Sequence, residues 1–405
     1  MRGPWLTSVL GLALLVAIPI IAITGFLSND AYFPRLRGNS VGRPLGPLDF
    51  YLFPFPTHPS WLYALTQGLH VTIGLAAFPI LLAKLWSVIP RLFEWPPLRS
   101  PAHALERLSL ILLVGGALFE FATGILDIQY DYAFPFFFTT AHYYGAWVFT
   151  AAFAFHTAIR FGTMRRALSA RRGLAPLRES LRDTRPEPAE PVGSELIAPA
   201  PTAPTMSRRA LLGTVGAGSL LLLLQGAGQS IGGPLRSLAV LAPRSLRRGG
   251  PTGFPVNRTA AAAAITIPDV GPSWRLRLEA GSRTLALSRS DLLRMPQRTH
   301  DLPIACVEGW STTQAWTGVA IGELARLLEI SGPFTVKTSS VARNGVFDSA
   351  RLAPVQTGDE RAMLALKVNG VDLSLDHGYP ARIIGPGIPG VHCTKWVSTM
   401  TFDRA

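Results

Sequence analysis

Cysteine is nearly absent. Two residues in 405 leave room for one bridge or two thiols and exclude a disulfide framework. Charge is scarce as well: Asp, Glu, Lys and Arg make up 16% of the chain, against about 25% in an ordinary soluble domain. The 48% hydrophobic content excludes a disordered protein. The net charge of +13 is uneven, with +1 in residues 1–159, +5 in 160–209 and +7 in 210–405. A first stretch almost without net charge has the composition of a membrane segment. The basic C-terminal part shows neither a nucleic-acid motif nor interleaved aromatic and basic residues, so no nucleic-acid partner is expected.

Four apolar stretches, at about residues 6–27, 61–89, 104–126 and 142–164, are long enough to span a bilayer. None has the short core and small-residue cleavage site of a removable signal peptide, so the first reads as a retained helix. Arg160, Arg165, Arg166, Arg171, Arg172, Arg178, Arg182 and Arg185 crowd behind the fourth, whereas the loop at 127–141 has no Lys or Arg. By the positive-inside rule the arginine-rich side is cytoplasmic. Arg91, Arg99 and Arg107 agree, while Arg35, Arg37 and Arg43 fall on the outer side. The expected organisation is a transmembrane four-helix domain at 1–165 and a cytoplasmic Arg/Pro/Ala-rich linker at 166–206. A fifth spanning helix follows at 207–231, then a linker at 232–249 and an extracytoplasmic domain at 250–405.

The fifth helix opens on Ser-Arg-Arg-Ala-Leu-Leu at 207–212 and is studded with Gly213, Gly216, Gly218, Gly226 and Gly228. This resembles a twin-arginine export signal placed inside the chain. The translocation machinery that reads such signals is an expected partner, and it carries domains already folded around a cofactor. An ordinary helix flanked by two cytoplasmic arginines is the alternative.

Helix 1 contains no histidine, but His70 lies in the second span and His142 and His156 in the fourth. A separation of 14 residues turns a helix by about 1400°, so His142 and His156 share a face about 21 Å apart along the axis. Polar groups at membrane depth are costly and mark function, and histidines on parallel helices suit a bis-histidine haem b. The arrangement resembles cytochrome b561-type four-helix domains. That resemblance implies His70 paired with His142 and leaves His156 as an alternative ligand. Glu120 reads either as a quinol proton carrier or as a polar contact inside the helices. Lys84 is expected to snorkel to the cytoplasmic surface.

Beyond residue 250, strand-like runs at 274–280, 283–287 and 334–340 alternate with helical pieces at 288–295 and 318–328. The expected fold class has two parts: an all-α transmembrane four-helix bundle plus a fifth helix, then an α+β domain with a mixed sheet. Cys306 closes an apolar strand and opens a Gly-Trp turn, a place where a side chain points out of the scaffold. Cys393 lies in His-Cys-Thr-Lys, and a Cys306–Cys393 disulfide is the structural alternative.

The segments CVEGWSTTQAWTGVAIGEL and NGVDLSLDHGYPARIIGPGIPGVHCTKWV resemble the molybdopterin domain of the sulfite oxidase superfamily. That superfamily includes sulfite oxidases, eukaryotic nitrate reductases and periplasmic methionine sulfoxide reductase subunits. The resemblance implies a molybdenum–molybdopterin cofactor with Cys306 as the thiolate ligand and catalytic residue. It implies pterin contacts at His377, Arg382, Cys393 and Lys395, and weaker ones at Asn257 and Arg258. An arginine fork and a lysine suit the pterin phosphate. Relatives often carry serine where this chain has Cys393, whose S–H or backbone N–H is then the contact. No immunoglobulin-like dimerising domain follows, which favours the monomeric, sulfoxide-reductase-like arrangement. Arginines that would cradle sulfite are not placed, with Arg298 and Arg343 unsupported candidates.

The expectation is a membrane oxidoreductase that exchanges an oxo group with a small or protein-bound substrate. Electrons would pass through haem b to or from the quinone pool. The alternatives are a cytochrome b electron-transfer protein whose outer domain only binds a partner, and a non-redox surface domain held by the disulfide.

Overall fold

The computed structural model describes residues 1–33, 53–93, 100–128, 138–185, 203–242, 244, 249–342 and 348–405. Arg35, Arg37, Arg43, Arg99, Arg343 and the Pro/Ala-rich centre of the linker at 186–202 lie outside the described residues.

Five long helices carry the N-terminal part: α1 (Pro4–Asp30), α2 (Leu62–Leu92), α3 (Pro101–Asp127), α4 (Phe138–Ala170) and α5 (Arg208–Ile231). Among the described residues, four helices are long and apolar enough to cross a membrane, namely α1, α2, α3 and α5. The expected fourth span is a helix but falls short of that composition. Its apolar residues are mainly Ala, Tyr, Trp and Phe, interspersed with Thr and His, in place of runs of Leu, Ile and Val.

The chain divides into two units. The first comprises Met1–Ile23, His70–Asp127 and Ala141–Gln225. Leu14 and Ile18 of α1, Ala77 and Leu81 of α2, Ala117 and Phe121 of α3 and Phe149 of α4 meet in one buried apolar cluster. Lys84 departs from its expected snorkelling, because its Nζ donates to the Thr7 carbonyl of α1 at 2.6 Å. Arg208, the first arginine of the pair, is fully buried on Glu179 at 2.6 Å.

The second unit comprises Thr24–Leu69, Ile128–Thr140 and Gly226–Ala405. After a single turn, α6 (Ile267–Val270), it contains β1 (Leu276–Ala280), β2 (Arg283–Leu287), α7 (Arg289–Arg294), β3 (Arg298–Ala305) and β4 (Ser311–Ala320). Then come α8 (Ile321–Leu327), β5 (Phe334–Ser340), β6 (Ser349–Leu352), α9 (Pro354–Thr357), β7 (Met363–Val368), β8 (Val371–Asp372), β9 (Arg382–Ile384) and β10 (Val397–Arg404). One sheet runs β2-β1-β10-β5-β6, and the other runs β3-β4-β7-β8 with β9 also on β7. The β1–β10 pair is parallel and its neighbours are antiparallel, so the first sheet is mixed.

Local chemistry explains several boundaries. Ser288 caps α7, its Oγ accepting from the Asp291 N–H while the Asp291 carboxylate accepts from the Ser288 N–H. The helix expected from residue 318 begins only at Ile321, since Gly318 and Val319 still belong to β4. A side chain at Gly318 would collide with Leu364 and Ala365 of β7, so the strand pair requires glycine there. The main core is built from Leu276 and Leu278 of β1, Val319, Leu324, Val336, Met363, Leu364, Ala365, Leu366 and Val368 of β7 and Met400, and a smaller cluster gathers Ala260, Ala263, Ile265, Val270, Ala342 and Trp396.

Candidate functional site

β3 ends at Ala305, so Cys306 is the first residue after the strand and opens a tight turn. Its N–H donates to the Trp310 carbonyl at 3.0 Å, and the Gly309 N–H donates back to the Cys306 carbonyl at 3.0 Å. A second loop comes down beside this turn. The Gly390 N–H donates to the Ala305 carbonyl at 2.7 Å, and a Cβ at Gly390 would stand 2.8 Å from that same oxygen. Only glycine lets the two loops approach so closely.

Between them lies a cleft of about 60 Å³. Its walls include Cys306, Asn257, Arg258, His377, Arg382, Cys393 and Lys395, which is every residue expected there from the sequence. Neither cysteine is in a disulfide, so the Cys306–Cys393 bridge is overturned.

The cleft is cationic. Arg382, on β9, is buried and donates to main-chain oxygens, to His377 at 3.1 Å and Cys393 at 3.3 Å, while its Nε has no partner among the described residues. Its guanidinium lies 5.2 Å from the centre of the Trp316 ring, and burial pulls its pKa down to about 10. Lys395 likewise donates to carbonyls, those of Arg258 and Asp376. Burial first and the Arg382 charge second hold its pKa well below the usual lysine range. Asp376 is the one acid on the described walls, facing the cations Arg258, Arg382 and Lys395. Buried positive charge without matching carboxylates is costly, and a bound anion relieves it.

His377 is buried against Phe254 at 3.9 Å between ring centres. Its Nδ1 is hydrogen-bonded to Ser374 Oγ at 2.7 Å, and its buried Nε2 has no hydrogen-bond partner among the described residues. Burial, then Arg382 and Lys395, push its pKa down to about 3, so it is neutral at physiological pH. Burial pushes the Cys393 thiol up to about 11, so it too is uncharged. The Cys393 N–H already donates to the Gly390 carbonyl at 3.2 Å, which leaves the S–H for a ligand. Asn257 Oδ1 accepts from the Arg258 N–H at 2.8 Å, ordering the first wall of the cleft.

Sequence reasoning missed Trp316, Asp376 and His392. His392 is fully buried, neither ring nitrogen is hydrogen-bonded among the described residues, and its ring meets Tyr32 edge-on at 6.0 Å. Burial lowers its pKa to about 4. A histidine whose folded pKa is depressed contributes fully above its unfolded pKa near 6.5 and is progressively lost below it. His377 and His392 together therefore make this unit acid-labile. Between pH 7 and pH 5 each is expected to cost about 2 kcal/mol of stability. Thermal melts of cofactor-free protein should show the midpoint falling across that interval. Replacing both residues with Gln should flatten the dependence, and an unchanged slope would refute it.

Gly378 turns the chain between His377 and Arg382 at φ +103°, where a Cβ would stand 3.0 Å from Lys395 Cβ and 3.2 Å from Arg382 Cβ. Gly378→Ala combines a left-handed backbone with this crowding and is expected to cost about 2 kcal/mol. The melting midpoint should drop by roughly 5 °C, and cofactor retention should fall with it.

The family model for the oxidoreductase molybdopterin binding domain matches residues 264–405. The C-terminal part of this chain is a molybdopterin oxidoreductase domain of the sulfite oxidase family. Within its matched region fall Cys306, His377, Arg382, Cys393 and Lys395, while Asn257 and Arg258 precede it. The mitochondrial sulfite oxidase of Rattus norvegicus is 25% identical over 168 residues, covering 34% of this chain and 31% of that protein. The nitrate reductase (NADPH) of Beauveria bassiana is 34% identical over 94 residues, covering 22% of this chain and 10% of that one. The sulfane dehydrogenase SoxCD from Paracoccus pantotrophus is similar at a TM-score of 0.30, with 22% identity over 32% of this chain and 38% of that structure. This chain thus spans about a third of the length of the sulfite oxidase it matches and a tenth of the nitrate reductase.

The residues of the molybdopterin domain fit its cofactor. A thiol suits molybdenum, the excess of buried cations suits a phosphate, and the unpartnered His377 Nε2 and Arg382 Nε are donors or acceptors awaiting a ligand.

The helical unit holds a second constellation. The rings of His70 on α2 and His142 on α4 meet at 6.0 Å between centres and 87° between planes. His70 Nδ1 is 2.9 Å from the Ile21 carbonyl, and His142 Nδ1 is 3.0 Å from Thr123 Oγ1 and 3.1 Å from Glu120 Oε2. Glu120 is therefore a polar partner of His142. His156 does not join the pair. It lines a separate cavity of about 230 Å³ with Thr7, Ser8, Lys84 and Arg160, walled mostly by Leu, Ile, Val and Phe.

Proposed function

We propose that the chain is a membrane-bound molybdenum oxidoreductase. It exchanges an oxo group with an extracytoplasmic substrate and passes electrons through haem b to or from the quinone pool. The observation that carries this reading is the meeting of seven expected side chains in one cationic cleft around Cys306.

Molybdenum bound by two dithiolene sulfurs and a cysteine thiolate supplies two-electron oxo exchange. Each residue of the cleft has a part in holding it. Cys306 offers the thiolate from a turn fixed by its own main-chain hydrogen bonds. Arg382 and Lys395, with Arg258, neutralise the cofactor's phosphate charge, and their main-chain bonds hold them in place before any ligand arrives. His377, neutral and anchored on Ser374, presents Nε2 to the cofactor. Trp316 packs against the Arg382 guanidinium and Phe254 against the His377 ring, which supports both side chains. The substrate class is a sulfoxide or other S- or N-oxide to be reduced, or sulfite to be oxidised.

For the haem, His70 and His142 supply the iron ligands. A ligating imidazole is normally oriented through its other ring nitrogen by a carbonyl, hydroxyl or carboxylate, and both Nδ1 atoms are so engaged. The apolar cavity bearing Lys84 and His156 has the character of a quinone site, with oily walls and a few polar groups. The segment at 207–212 supports twin-arginine export of the outer domain, with the N-terminus remaining in the cytoplasm.

Molybdenum and haem measured per chain in the intact protein test the reading. One of each is expected, and haem without molybdenum would instead favour an electron-transfer protein with a binding-only outer domain. Direction follows from the haem spectrum. Reoxidation of dithionite-reduced haem by a sulfoxide or nitrate marks a reductase, and reduction of oxidised haem by sulfite marks an oxidase.

A further inference from the structure

The Cys306 turn is held from outside the molybdopterin domain. Gln67, in the second turn of α2, donates its Nε2 to the Val307 carbonyl at 2.7 Å. Gln229, near the end of α5, donates its Nε2 to the Glu308 carbonyl at 2.5 Å. Arg244 lies in the segment between α5 and the domain. Its Nε shares both Glu308 carboxylate oxygens, at 2.8 and 2.7 Å, and the same carboxylate accepts from Trp310 Nε1 at 2.9 Å. Gln67, Gln229 and Glu308 are all buried. None of the three donors falls within the matched region at 264–405.

We infer that Gln67, Gln229 and Arg244 are positioning residues for the Cys306 thiolate. This rests on the reading of Cys306 as the molybdenum ligand. The two carbonyls bonded by the glutamines belong to the two residues that follow Cys306, so the bonds fix the 307–308 and 308–309 peptide planes of the turn that Cys306 opens, and act on its side chain through that turn. The Gln229–Glu308 bond is buried, so breaking it leaves both groups unsatisfied where water does not reach, and the Gln67–Val307 bond is partly buried. The Arg244–Glu308–Trp310 contact closes the far side of the same turn. Groups that orient a metal ligand tune the metal, and their removal typically costs about 10–100-fold in affinity or activity.

The experiment replaces the amides by thioethers of similar length in the full-length protein: Gln67→Met, Gln229→Met and the pair together. Three quantities are read: molybdenum per chain, the Mo(V) electron paramagnetic resonance spectrum, and hydrogen exchange of the 307–309 amides in cofactor-free protein. With molybdenum near one per chain, the Mo(V) g-values should shift, and turnover with an artificial electron donor should fall about 10–100-fold. In cofactor-free protein the 307–309 amides should exchange faster while the β7 amides stay protected. Should the double variant fail to accumulate, the single variants decide. Wild-type g-values and wild-type exchange in variants that retain molybdenum overturn the positioning role alone. Molybdenum and its spectrum unaltered by Cys306→Ser overturn the ligand reading, and the positioning role with it.

Discussion

Cys306→Ser is expected to leave a folded protein with its haem intact and to lower turnover by more than about 100-fold. The estimate follows from comparison with groups that only orient a metal ligand, whose loss already costs about 10–100-fold. Serine is smaller than cysteine and keeps a donor, so the tight turn closed by the Trp310 carbonyl survives. The hydroxyl is a harder and far less acidic ligand than the thiol it replaces. The variant separates binding from chemistry. Arg382, Lys395 and His377 still offer their contacts, so the pterin should remain associated while the metal's spectrum changes. The measurement is turnover with an artificial donor beside molybdenum per chain. Unchanged turnover with full molybdenum would remove Cys306 from the metal.

His142→Ala is expected to abolish haem binding and leave the molybdenum site working with an artificial donor. Removing the imidazole would take away one of the two proposed haem ligands and leave the buried Glu120 side chain, whose Oε2 stands 3.1 Å from it, without that contact. His70→Ala should have the same effect, because each ring is half of the pair. His156→Ala should retain the haem, since that side chain lines the separate cavity. Quinol-driven turnover should vanish in the first two variants. The Soret band per chain decides the matter: full haem in His142→Ala would refute the pairing, and haem loss in His156→Ala would restore that residue as a ligand.

The sequence exposed some of this structure and hid the rest for identifiable reasons. β2 and β5 stand where the residue pattern placed them, because turns flank both and their lengths are ordinary. β4 was hidden. Its last three residues are buried, and Val319 with Ile321 and Leu324 continues into α8 at helical spacing, which disguises the join. β7 is buried at five of its six positions and so shows no alternation. In the cleft, the cationic and sulfur-bearing residues were legible through their motifs, whereas the acid Asp376 was not. Trp316 and His392 were not, since an aromatic beside other core residues carries no local mark. The donors to the Cys306 turn were beyond any reading of sequence. Gln67 meets Val307 across 240 positions and Gln229 meets Glu308 across 79.

Gln67 and His70 stand three residues apart on α2. At about 100° per residue they project from neighbouring sectors of one helical turn, each with its own partner to satisfy. The interval between them is therefore a fixed mechanical phase. Inserting or deleting one residue at Gly68 or Leu69 would turn one side chain by about 100° against the other along the helix. Length changes elsewhere in α2 shift both together and can be absorbed by sliding the helix. Natural variants of this chain should thus tolerate changes in the length of α2 at its ends and reject them in this single turn.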